Sequence, residues 1–198
     1  AGQFEQISFV GYPFSISETF QMRNTNSTID QSLSRVEEIV NVAHGANQKV
    51  LIYISMAFGN PYEDPWSSEL ACTWVDRLHS ELGISHFAMA DTIGVGNESS
   101  IADLFKTVID QFSELHIGAH LHSNPSDSAK KISAAFEAGC RAFDVAINGL
   151  GGCPMAEDEL VGNISTQALF STLSQENFSG IDLDSFSEAV EISRTVFP

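Results

Sequence analysis

An α/β fold built on a parallel sheet is what this sequence predicts, and three observations lead there. Five short apolar runs rich in β-branched and aromatic residues recur, at 6–11, 50–57, 86–90, 117–122 and 142–147. Each is followed by a stretch whose apolar residues return with the 3.6-residue period of a helix. Strict alternation of the two implies parallel strands joined by helical crossovers, with function at the carboxyl ends of the strands. No linker or low-complexity segment interrupts the order, so a single domain over 1–198 is expected.

The elements follow in sequence. Strand 6–11 leads to a helix over 28–44, for which Thr28 supplies a capping oxygen. Strand 50–57 leads to helix 67–82, opened by Ser67 and stopped at Gly83. Strand 86–90 leads to helix 99–115, opened by Ser99. Strand 117–122 leads to helix 126–139, ending on Gly139. Strand 142–147 leads to a helix over 165–173, and a last helix runs over 183–196. An open, doubly wound sheet fits this pattern, as does part of a barrel; an eight-stranded barrel takes ~250 residues.

Composition narrows the function. At 198 residues and 43% hydrophobic, the chain can bury a sizeable core. Nine Lys and Arg against 26 Asp and Glu leave a formal charge of −17, which argues against nucleic-acid or anionic-membrane binding. No apolar run nears the ~18 residues of a membrane span, so a soluble protein is expected. Cys72, Cys140 and Cys153 are odd in number and show no paired spacing, which predicts free thiols in a reducing compartment such as the cytoplasm. The chain opens on Ala1 beside a strand-like segment, the expectation for a processed or truncated product.

Candidate chemistry gathers at three strand ends. His120 and His122 stand two apart, so both imidazoles fall on one side of the strand and can serve one cation; the alternative is a pair facing a polar interior without metal. Asp91 ends the third strand and either projects its carboxylate into the same region or caps the turn with Thr92. The run Gly149-Leu-Gly-Gly-Cys-Pro154 allows turns other residues resist and leaves Cys153 at a loop tip. Asn163, after Gly162, is a turn residue or an oxygen donor for a hard cation. Cys72 and Cys140 read as buried, His44, His79, His86 and His116 as surface residues beside helices, and Trp66 and Trp74 as packing. The sequons at Asn26, Asn97, Asn163 and Asn177 mean little in a reducing compartment.

These residues together resemble the 3-hydroxy-3-methylglutaryl-CoA lyase family. The resemblance takes in Ser17-Glu-Thr-Phe20 with Asn24 and Asn26, Gly59-Asn-Pro-Tyr-Glu63, Ala90-Asp-Thr-Ile-Gly-Val-Gly96, His120-Leu-His122, Gly149 to Pro154 and Gly162-Asn163. It implies a (β/α)8 TIM-barrel type of fold of which this chain holds about five C-terminal βα units, with 6–11 as the fourth strand and three N-terminal units absent. Open sheet edges would then invite association, and a homo-oligomer, a dimer, is expected.

The activity implied is metal-assisted carbon–carbon cleavage of a small-molecule acyl-CoA substrate, a 3-hydroxyacyl-CoA, to acetyl-CoA and a keto acid. Mg²⁺ or Mn²⁺ would be held by His120, His122 and Asn163. Cys153, Asp91 and His120 would be catalytic, Cys153 through proton transfer. The compartment would be the cytoplasm, or the mitochondrial matrix in a eukaryote. An anionic CoA ester needs a local basic patch, for which Arg23, Lys130 and Lys131 are the candidates. Two departures stand out: the family's Arg-Asp pair on its first strand has no match here, and Gln167 replaces a glutamate. The other readings are a condensing synthase of the same barrel group and an inactive truncated barrel serving as an assembly module.

Overall fold

The protein is described by a computed structural model covering residues 2–152, 161–173, 178 and 180–196. Its elements run β1 (Phe9–Ser15), α1 (Glu18–Thr25), α2 (Ile29–Gly45), β2 (Lys49–Ser55), α3 (Ser68–Leu82), β3 (His86–Asp91), α4 (Glu98–Gln111), β4 (His116–Leu121), α5 (Ser128–Glu137), β5 (Ala142–Asp144), a 3₁₀ turn (Ile147–Gly149), α6 (Thr166–Thr172) and α7 (Leu183–Val196). All four strand pairings are parallel, in the spatial order β1-β2-β3-β4-β5.

That order decides between the two architectures left open by the pattern. A doubly wound sheet reverses direction at a switch point. Here every crossover steps the same way, and a right-handed crossover repeated in one direction lays all its helices on one face. The sheet is singly wound, as in a barrel wall.

Local chemistry accounts for the helix starts. Thr28 accepts from the Gln31 amide while the Gln31 side chain returns to the Thr28 N–H, and Asn97 and Ser100 do the same for α4. Helix α1 was not expected, because its eight residues carry almost no apolar periodicity; Ser17 caps it by accepting from the Phe20 amide at 3.1 Å. Strand β1 begins later than expected and runs through Pro13. The bonds Lys49 N to Ser8 O and Ile16 N to Ser55 O place the even-numbered residues against β2, so Pro13 faces the open edge, where no donor is missed. Strand β5 stops at Asp144 rather than 147, where the chain turns into the 3₁₀ segment.

The core lies between the sheet and the helices. Phe14, Ile54, Met89 and Leu121 on the strands meet Val75, Leu104, Phe105 and Ile132 of the helices, all at most 2% exposed. Trp74 joins it, its ring 5.0 Å from Phe14, whereas Trp66 stays 45% exposed. Among the described residues no helix is long and apolar enough to cross a membrane.

Cys72 and Cys140 are free and buried, as their helix and helix-end positions suggested. Burial raises both thiol pKa values, that of Cys140 to about 12. Neither can supply thiolate near neutrality. Iodoacetamide at pH 8 should therefore leave Cys72 and Cys140 unmodified in the native protein and label both after denaturation, as read by peptide mass spectrometry.

Candidate active site

Side chains alternate across each strand, and the face opposite the helices forms the site. Pro13 of β1, Tyr53 and Ser55 of β2, Ala90 and Thr92 at the end of β3, and His120 and His122 at the end of β4 line one cleft of about 430 Å³. Phe20, Asn24, Gly152 and Asn163 close its rim. The two imidazoles share this face as the His-x-His spacing predicted, with ring centroids 5.1 Å apart and planes at 79°.

His122 is 4% exposed, and its Nδ1 lies 3.0 Å from the Asp91 carbonyl oxygen. A carbonyl only accepts, so Nδ1 carries the proton and Nε2 is left with a lone pair. Burial pushes this imidazole below its ordinary pKa of 6.5, against the opposing pull of that bond. The neutral form with a free Nε2 is the one a metal ion needs.

His120 is set differently. Its Nδ1 lies 3.3 Å from a carboxylate oxygen of Asp144, its register partner on β5. Tyr53 meets the His120 ring edge-on at 5.2 Å and hydrogen-bonds the same carboxylate. Burial, then the Asp144 charge and that bond, raise the Tyr53 pKa to about 12, so the phenol stays a donor. Sequence reasoning missed both Tyr53 and Asp144; the available signal was their parity, which puts them on the same strand face as His120.

Asn163 stands across an isolated antiparallel bridge from His122. Its amide nitrogen donates to the Leu150 carbonyl at 2.9 Å, leaving the amide oxygen for another partner. The glycines explain how the two loops come so close: a Cβ on Gly149 would sit 2.7 Å from the Asn163 carbonyl oxygen, and one on Gly152 would sit 2.7 Å from that of Val161. Cys153 and Pro154 lie outside the described residues, as does Asn177; Gly152, the residue before Cys153, lines the cleft.

Several expectations need correcting. The Asp91 carboxylate does not project into the cleft: it falls on the helix-facing side of β3, accepts from the Gly96 amide at 3.1 Å, and pairs with Lys131 at 2.8 Å. Its link to the cleft is the backbone carbonyl that holds His122. Lys131 is not part of a surface basic patch, because its side chain is only 7% exposed. Breaking such a buried pair from one side costs about 3–5 kcal/mol. Lys130 remains outside, with Asp127 at 3.8 Å and Glu98 at 3.9 Å, and Arg23 lies over the Tyr62 ring at 4.9 Å. His86 and His116 are not beside helices; they open β3 and β4 with their rings stacked at 4.3 Å.

Gln167 holds the loop rather than the cleft. Its oxygen accepts from the Asn148 backbone N–H at 3.0 Å and its nitrogen donates to the Asn148 side-chain oxygen at 2.6 Å, while Asn148 in turn reaches Ser193 on α7 at 2.6 Å. A glutamate could accept but not donate there. Among the described residues no group of three or more His, Cys, Asp or Glu is placed to hold a metal. What lines the cleft is two imidazoles and the Asn163 side chain.

Two outcomes follow from this geometry. Between the depressed pKa of folded His122 and about 6.5, the unfolded chain binds a proton the folded one refuses, so stability is complete above that window and is lost as pH falls through it. His86 is shifted the same way by burial. His122→Gln should therefore flatten, without abolishing, the fall in melting temperature below pH ~6.5. Gln167→Glu should cost about 1–3 kcal/mol in urea unfolding, because the Asn148 amide oxygen loses its donor.

Comparison with known proteins bears on the family and the fold. The HMGL-like family matches residues 6–196. The 3-hydroxy-3-methylglutaryl-CoA lyase, cytoplasmic, of Danio rerio is 34% identical over 176 residues, 88% of this chain and 52% of that protein. The HMG-CoA lyase structure from Bacillus subtilis superposes with a TM-score of 0.85 at 27% identity, over 96% of this chain and 63% of the other. An HMG-CoA lyase from Acinetobacter baumannii, solved in complex with coenzyme A and 3-methylmalate, gives 0.80 at 28%, over 92% and 59%. The chain spans about half the length of the curated relatives it matches. With nearly its whole length matched and its five parallel strands following the lyase barrel, the chain belongs to the HMGL-like family.

Proposed function

We propose that this chain is the metal-holding part of a carbon–carbon lyase that cleaves a 3-hydroxyacyl-CoA, hydroxymethylglutaryl-CoA or a near analogue, to acetyl-CoA and a keto acid. The observation that carries the reading is the pair of cleft-facing imidazoles, one fixed with Nε2 free, with Asn163 lining the same cleft at the carboxyl ends of the strands. Imidazole and amide oxygen suit Mg²⁺ or Mn²⁺, though three neutral donors form an incomplete set. A carboxylate supplied by strands that precede β1 would complete it.

When bound, the cation polarises the substrate's hydroxyl and carbonyl oxygens and stabilises the charge that develops as the bond breaks. The side chains divide the remaining work. His122 binds in one tautomer and takes no proton. With Nδ1 turned to the Asp144 carboxylate, His120 keeps one lone pair, on Nε2, which would hold the cation and could accept the hydroxyl proton only after leaving it. Tyr53, held as a donor, keeps that carboxylate in place. Cys153, which follows the cleft-lining Gly152, would return a proton to the enolate carbon of the departing acetyl-CoA. Asp91 acts through the loop it anchors and the carbonyl it offers His122. The condensing-synthase alternative is disfavoured by the Gly-Leu-Gly-Gly-Cys-Pro loop.

The same reading places the whole protein in the cytoplasm or a mitochondrial matrix, as a homodimer.

The test is calorimetric titration of Mn²⁺ into metal-free protein in its full natural length, with His122→Ala as control, followed by an assay for acetyl-CoA released from hydroxymethylglutaryl-CoA. Binding should weaken at least ~10-fold in the variant. Cys153→Ser should then lower turnover by ~10²–10⁴ with little change in Mn²⁺ affinity. Absence of His122-dependent binding would sink the metal site and leave the assembly-module reading.

A further inference from the structure

We propose that Lys131 is a positioning residue of the site: its buried ammonium fixes the ends of β3 and β4 to each other and so aims the His122 imidazole. The observations are geometric. Lys131 leaves α5 with its side chain 7% exposed, and its Nζ donates three hydrogen bonds, to Asp91 Oδ2 at 2.8 Å, to the His122 carbonyl at 2.8 Å and to the Gly94 carbonyl at 2.9 Å. An ammonium has three donors, and all three are used.

Each bond touches a different part of the support. Asp91 ends β3, Gly94 belongs to the loop after it, and His122 follows the last residue of β4. The register pairs Asp91 with Leu121, so Asp91 and His122 are neighbours across the two strands. One cation therefore holds the carboxylate of Asp91 and the backbone of His122 together. Those residues are joined a second time by His122 Nδ1 and the Asp91 carbonyl at 3.0 Å. That second bond selects the tautomer with Nε2 free, and it survives only while the two backbones keep their spacing. Gly96 completes the clamp by donating to both Asp91 carboxylate oxygens at 3.1 Å.

A lysine in this place is unusual for a chain so poor in cations. Nine Lys and Arg serve 198 residues, and a buried, fully bonded one is hard to account for as surface solubility. Among the described residues Lys131 is not one of those lining the cleft, and it meets a cleft residue through the His122 backbone carbonyl. Its influence on chemistry must pass through His122, which makes it a positioning residue and not a catalytic one.

The inference rests on the cation reading only for its second readout. In the protein of full natural length, the ring ¹⁵N shifts of His122 report the tautomer directly, with or without metal. Wild type should show Nδ1 protonated. Lys131→Met alone leaves Asp91 charged and unpaired and should lower the melting temperature sharply, so Asp91→Asn with Lys131→Met is the informative variant. It removes the buried charge as well as the ammonium, and stability should largely return. If Lys131 aims His122, the double variant should still show a mixture of tautomers and ~10–100-fold weaker Mn²⁺ binding. A double variant with wild-type His122 shifts would overturn the proposal. Altered shifts in a protein whose wild type binds no Mn²⁺ would uphold the positioning role and remove the cation reading instead.

Discussion

A parallel strand sends successive side chains to opposite faces, and the geometry of this site depends on which residue falls on which face at the strand ends. The odd or even position of a single residue decides whether it meets the cleft or the helices. His120 and His122 fall on the cleft side of β4, with Leu121 between them in the core. One strand away Ala90 and Thr92 reach the cleft and Asp91 does not. The site thus has two layers from one sheet: imidazole side chains inside, and behind them a carboxylate and an ammonium that hold the backbone carrying those side chains.

Electrostatics reinforces this division. On the cleft side the Asp144 carboxylate lies beside His120. The buried Lys131 and Asp91 charges cancel on the far side of β3 and β4, where low dielectric would make either one alone costly. The chain's overall charge of −17 favours cations generally and opposes an anionic thioester, and with Lys131 buried the basic patch for such a substrate is left to Arg23, Lys130 or residues outside this chain.

Much of the fold was legible because parallel βα repetition writes itself as alternating periods, and every expected strand and helix is present within a few residues. Singly wound topology was not legible, since strand order leaves no local signal; the motif resemblance supplied it. Helix α1 escaped because capping and turn chemistry, not apolar spacing, define it. At the site, His120, His122 and Asn163 line one cleft, and the spacing of the two histidines already put them on one strand face. Asp91 and Lys131 were misread for a common reason: a charged residue at a strand end or on a helix looks functional or solvated, and only the face it occupies reveals a buried partner forty residues away. Tyr53 and Asp144 were overlooked because neither belongs to a motif.

The proposed site would hold one divalent cation against His120, His122 and Asn163. Anomalous diffraction from Mn²⁺-soaked crystals of the full-length protein tests it directly. A cation held there should give a single strong peak in the cleft within bonding distance of His122 Nε2, a ring nitrogen of His120 and the Asn163 amide oxygen. A cleft without a peak, or one whose peak touches neither imidazole, would contradict it.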